Sequence, residues 1–532
     1  MAFGDSNATL DRPSALREKS NFSSESAYRS VGVLVILTES CLVEQHEFEE
    51  VYNSLSLLLD SDPGKVLEEA QKLAKERPDD SEAKRLSSIF MIEAGGLLKM
   101  RTAVSSGVKI LEELCSGEQN FRLIYNLANG LEALATLDST AVPNWYLVTH
   151  QYRFRARSLY WKSSKEMSPL TSRSLTNLGN SLSTAHRWIE AYSYFRRACR
   201  GQKSFGPAAL QAAILIRHRL QRPWHTEELP SLYRYYLDLA LARKSEILEV
   251  CGEPGIRGLD NLPSIEIEPW SPPANVAEDP YRAFVIENRL MLSPLLEICQ
   301  PNDDHLDDLH FGPVTTSIMK MEIPSIFAML NCIKQEYLEA RDLFYAATRE
   351  SYPLSDPGFV NTLDYALFGN TAAKLCLAQR SGLDVLDRIA VAVDVHLGNS
   401  TNPRSISFRN YWRKGDKQRT WTQQIEGEIQ AGSPSAIALS EVAEDLSKGG
   451  FLSSQADMRN ASTHRFVVLH TEGVPVSPQD EGYIERYGHS DFVEATRETL
   501  QLARAAIIYF VDLITSLENH DGSAITQILS IH

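Results

Sequence analysis

One stretch constrains the fold more than any other: SLTNLGNSLSTAHRWIEAYSYFRRACR, residues 174–200. Leu178, Gly179 and Leu182 recur at helical spacing on a first segment, and Ala191, Phe195 and Ala198 on a second. Alternation of large and tiny residues at these intervals serves close helix packing. Gly and Ala let two antiparallel helices approach, while Leu and Phe fill the seam between them. A chain carrying this arrangement is committed to helix-on-helix layers in that region.

The intervals match the tetratricopeptide pattern, without its usual closing proline, since Lys203 stands at that place and Pro207 follows late. A second copy lies upstream. YNLANGLEAL offers Leu127, Ala128 and Leu131, and FRARSLYW offers Ala156 and Tyr160. Ser61-Asp62-Pro63-Gly64 predicts the start of one helix, and Pro78-Asp79-Asp80-Ser81 predicts its end and the cap of the next. Residues 60–245 therefore read as three or more degenerate helical repeats, although an irregular helical domain would carry much of the same periodicity.

Pro and Gly concentrate in 252–280, which marks a linker. Beyond it, apolar residues at three- and four-residue spacing predict a helical bundle interrupted by long loops. The expected organisation is a flexible arm over 1–28, a helical-repeat domain over 29–251, the linker, a helical domain over 281–520 and a tail over 521–532. The fold class is all-α.

Composition narrows the function. A net charge of −16 excludes a protein that coats nucleic acid over its whole surface, but leaves room for a local basic site. Seven cysteines scattered singly suit reduced thiols in a cytoplasmic protein better than disulfides or a zinc site. The first thirty residues carry no secretory pattern, and VGVLVILTESCLV (31–43) is too short to span a bilayer, so no membrane association is expected. It reads as a buried strand or the start of a core helix.

The chemistry concentrates in Arg459-Asn460-Ala461-Ser462-Thr463-His464. A guanidinium fork can grip two phosphate oxygens, and an imidazole can move protons near neutral pH. In a helix over 457–470, Asn460 and His464 stand one turn apart on one face, with Arg459 about 100° round. Ser453, Ser454 and Asp457 are candidate caps, and a site near the helix start would add a positive dipole end. Arg465–His470 and Arg219–His225 are rival pairs of similar spacing, and a surface ion-pair network would explain the spacing of 459–464 as well. The small polar residues inside 459–464 favour it over Arg465–His470, which encloses an apolar run.

Arg-Asn-x-x-x-His near the last helices of a helical bundle resembles the HEPN superfamily, whose pattern sets an arginine and a histidine four to six residues apart. The similarity extends through ENRLMLSPLLEI, NCIKQEYLEARDLFYAATRES, NTLDYALFGN, DVLDRIAVAVDVHLGN, FRNYWRK and LSEVAEDL, over roughly 280–517. Their order resembles a large bacterial branch with N-terminal tetratricopeptide-like repeats. The implied fold is repeats followed by a HEPN-type bundle. The implied activity is a metal-independent, cofactor-free endoribonuclease that works as a homodimer through its C-terminal domain. The RNA 2′-hydroxyl would attack its own phosphodiester, leaving a 2′,3′-cyclic phosphate. His464 would act as general acid or base, Arg459 would stabilise the phosphorane, and Asn460 would position phosphate or histidine.

Asp445, where the family often has an acid, and Glu441 could support the motif, and plain helix-surface charge is the alternative. Arg409, Trp412, Arg413 and Lys414 combine basic and aromatic groups suited to a single RNA strand, with a solvated loop as the rival reading. Glu336 and Arg341, at i and i+5, suggest structural ion pairing. RFVVLH (465–470) departs from the family and threatens to bury His464. Toxin or anti-phage roles follow from the resemblance, with a protein partner or phage-derived trigger at the repeats. The alternative is a non-catalytic repeat adaptor whose bundle dimerises or binds nucleotide.

Overall fold

The computed structural model describes residues 39–529 apart from 118–119, 140–144, 167–169, 201–204, 223–225, 273–278, 299–305, 313, 318–322, 350–357, 361, 400, 415–419, 422, 472–481 and 521–525. The arm expected over 1–28 lies outside the described residues, as does most of the apolar run after it. Residues 1–53 and 54–532 form separate compact units, and α1 (Glu39–Leu59) begins in the first.

The repeats begin at α2 (Pro63–Glu76). Asp62 accepts from the Lys65 N–H at 3.0 Å, and Pro63 starts the helix where its missing N–H costs nothing. Asp80 caps α3 (Ser81–Leu97) by accepting from Glu82 and Ala83. The two caps are the ones the sequence predicts. There follow α4 (Arg101–Gly117), α5 (Phe121–Ser139), α6 (Trp145–Ser163), α7 (Leu170–Thr184), α8 (Trp188–Cys199), α9 (Gly206–Leu220), α10 (Leu229–Ala242) and α11 (Lys244–Asp260), each packed on the next. The seam between α7 and α8 is the predicted one: a Cβ on Gly179 would stand 2.5 Å from the Phe195 ring. In the upstream copy, Leu127, Ala128, Leu131, Ala156 and Tyr160 are all buried.

The expected linker behaves differently. Residues 252–260 are helical, with Gly252 at φ 61 bending α11. The irregular chain after them is pinned down: the Tyr233 hydroxyl donates to the Pro263 carbonyl at 2.8 Å, and the Trp270 N–H to the Ser231 carbonyl at 2.8 Å. Pro and Gly report a bend here, not a free spacer. One apolar cluster runs without a break from Ile92 in α3 through Phe195 to Ile514.

The C-terminal bundle contains α12 (Pro280–Glu287), α13 (Ser325–Arg349), α14 (Asn370–His396), the short α15 (Phe408–Tyr411), α16 (Gln423–Gln430), α17 (Pro434–Asp445), α18 (Ser453–His464) and α19 (His489–His520). By length and composition α19 could cross a membrane, but 72% of its apolar window is buried inside the molecule, which makes it the core helix. The chain is all-α in class, and among the described residues three small sheets are attached. β1 (Val314–Ser317) pairs antiparallel with β7 (Thr526–Leu529), which lies within the expected tail. β2 (Ala366–Leu367) pairs antiparallel with β5 (Phe466–His470), which pairs in parallel with β6 (Ile484–Gly488). β3 (Arg413–Lys414) and β4 (Thr420–Trp421) form a two-residue ladder.

Candidate functional site

The helix bearing the motif is shifted and shorter than the sequence suggests. It starts at Ser453 and stops at His464, and Phe466-Val467-Val468-Leu469-His470 is a strand. β-branched residues in a row favour the extended chain, and pairing to both neighbours secures it. The run therefore does not bury the histidine: His464 is exposed, as is Asn460 one turn before it. Leu452 is the N-cap residue without a side-chain bond, so Ser453 does not cap. The motif occupies the C-terminal turns, where the helix dipole is negative. The positive end expected to draw a phosphate lies at the other end of the helix.

Arg459 is anchored. Its Nη2 contacts the Asp387 carboxylate at 2.5 Å and the Asp384 carboxylate at 2.6 Å, both on α14, and its side chain remains 31% exposed. Burial works against the charged guanidinium, but the two carboxylates outweigh it and raise its pKa. Asp387 also accepts from the Phe408 N–H at 2.7 Å, which ties the start of α15 to the same carboxylate; Arg409, the next residue, is exposed. Asp384 and Asp387 are site residues that the motif search misses. Their trace in the sequence is a pair of carboxylates at i and i+3 on α14.

The rival pairs separate clearly. His470 is fully buried, its Nδ1 at 3.0 Å from the Asp364 carbonyl and its Nε2 at 3.3 Å from Arg486, while Arg465 pairs with Glu485. Arg219 lies over the Trp188 ring at 4.0 Å, and His225 lies outside the described residues. Glu336 pairs with Arg388 and Arg341 with Asp307, so neither serves the motif.

The structure takes both supporting acids away from the motif. Asp445 and Glu441 are fully buried and face the repeats. Arg157 of α6 reaches Asp445 at 2.9 Å through Nε and Glu441 through Nη2, and Arg187 at the start of α8 binds both Asp445 and Glu190. Burial pushes the Asp445 carboxyl up despite the opposing pull of Arg157 and Arg187. The bonds described for both acids go to the repeats and not to Arg459 or His464.

The basic-aromatic segment is also split. Trp412 is fully buried against Phe408 and Tyr411, so no base can stack on it. Arg409 is exposed. Arg413 and Lys414 lie on β3.

Residues 318–516 match the family model described as LA2681-like HEPN, a range that holds α13, α14, α18 and most of α19. No curated protein and no solved structure matches the chain significantly. The bundle built around α14, α18 and α19 thus lies in the stretch that is similar to LA2681-like HEPN domains, which supports a place for this part of the chain in the HEPN superfamily.

Proposed function

We propose that the HEPN domain is a metal-independent endoribonuclease acting in the cytoplasm as a toxin or anti-phage effector. The observation that carries this reading is the shared, accessible end of α18: Arg459, Asn460 and His464 lie together there, while the histidine of the rival pair 465–470 is buried. His464 serves as general base or acid toward the 2′-hydroxyl, and Arg459 binds the phosphorane oxygens. Arg409, exposed and next in the chain to Phe408, whose N–H bonds the carboxylate that holds Arg459, extends the contact along the RNA strand.

A homodimer completes the site. Phe466 and Tyr483 are 72% and 75% exposed and adjoin the motif through the Phe466 N–H to Tyr483 carbonyl bond of 3.0 Å, an apolar rim suited to a partner subunit. A non-catalytic adaptor is favoured by one fact only, the engagement of Arg459 by two carboxylates. Cleavage of RNA by the full chain separates the readings. Arg459→Ala and His464→Ala are each expected to lower it by about 10²- to 10⁴-fold, with cyclic phosphate and 5′-hydroxyl ends on the wild-type products. Equal activity in all three proteins, or other product ends, rejects the ribonuclease reading.

A further inference from the structure

The buried charges joining the repeats to the HEPN domain lie at the root of the motif helix. Asp445 ends α17, and the turn after it leads directly into α18: the Leu452 N–H donates to the Asp445 carbonyl at 3.1 Å. The turn has little freedom. A Cβ at Gly450 would fall 2.1 Å from the Asp445 carbonyl oxygen, so only glycine permits this approach. Phe451, in the same turn, lies 5.6 Å from the Arg187 guanidinium and 6.1 Å from the Trp161 ring of α6. Both repeat helices thus touch the turn, α6 through Arg157 and Trp161 and the start of α8 through Arg187. Arg459 follows Leu452 by less than two helical turns. A tilt at the root is carried to the motif, because a packed helix moves as a rigid body.

We propose that Arg157 and Arg187 clamp Asp445 and so set the position of α18, which makes the packing of the repeats a control on the Arg459–His464 site. This regulatory role rests on the ribonuclease reading, whereas the mechanical coupling does not. A partner that shifts α6 against α8 parts the two guanidiniums, and a carboxylate fully buried between them cannot be left unpaired. The root of α18 must then follow one helix or the other.

Asp445→Asn tests the clamp in the full chain. It removes one of three carboxylates (Glu190, Glu441 and Asp445) around two guanidiniums and keeps the side-chain shape, so the fold is retained. Arg187→Lys is the second variant; it keeps the charge but cannot fork between Asp445 and Glu190. Peptide-resolved amide exchange is expected to speed up about tenfold or more over 453–464, while α2 and α3 exchange as in wild type. Unchanged exchange over 453–464 in either variant, or a uniform increase along the chain, overturns the proposal. RNA cleavage by the same proteins keeps the two ideas apart. An active wild type whose variants exchange normally discards the clamp alone, and an inactive wild type whose variants loosen at α18 discards the ribonuclease alone.

Discussion

At the residue scale, the site is defined by what holds Arg459. Two carboxylates share one guanidinium nitrogen, but they are not equivalent. Asp387 also accepts the Phe408 N–H, whereas among the described residues Asp384 bonds only Arg459. Asp387→Asn is therefore expected to lower stability by about 1–2 kcal/mol in denaturant unfolding and to weaken cleavage. Asp384→Asn should change stability by less than about 0.5 kcal/mol, because a half-exposed pair contributes little. Equal losses would mean that α15 does not depend on Asp387. The spacing of 459–464 shows the sequence-level limit here. It places Asn460 and His464 on one face, since helix geometry is local, but it is silent on the carboxylates of a helix some seventy residues earlier.

At the element scale, close helix packing governs the repeats. Gly179 faces Phe195 so tightly that Gly179→Ala must push the ring or separate α7 from α8, at an expected cost of about 1–3 kcal/mol. A fall of less than about 0.5 kcal/mol in chemical denaturation would show that the seam is looser than its geometry. This contact is legible in the sequence because the Gly and the Phe belong to adjacent helices with a fixed hairpin between them. The end of α18 is not. An apolar run after His464 is compatible with helix or strand, and only pairing with β2 and β6 decides for strand. Exposure of His464 follows from that decision, since the strand takes the apolar residues away from the helix.

At the scale of the whole molecule, charge and core connectivity matter most. On the proposed ribonuclease reading, a net charge of −16 confines RNA contact to a small footprint around Arg459 and Arg409. The slope of log affinity against log salt is then expected near −2, the value for about three neutralised phosphates on a single strand; a slope steeper than about −5 contradicts a confined site. The repeats are not a detached sensor either, because one apolar core passes from α3 to α19 and the stretch that resembles a linker starts as helix and is then bonded to α10 at Pro263 and Trp270. The sequence by itself determined the helical class, the caps of α2 and α3, the α7–α8 seam and the motif on its helix, all of which depend on residues close along the chain. Only the tertiary structure decided that Trp412 is a core residue and that Asp445 serves Arg157, 288 residues away. Periodicity reports which face of a helix is buried, whereas the identity of the facing partner depends on how distant helices stack.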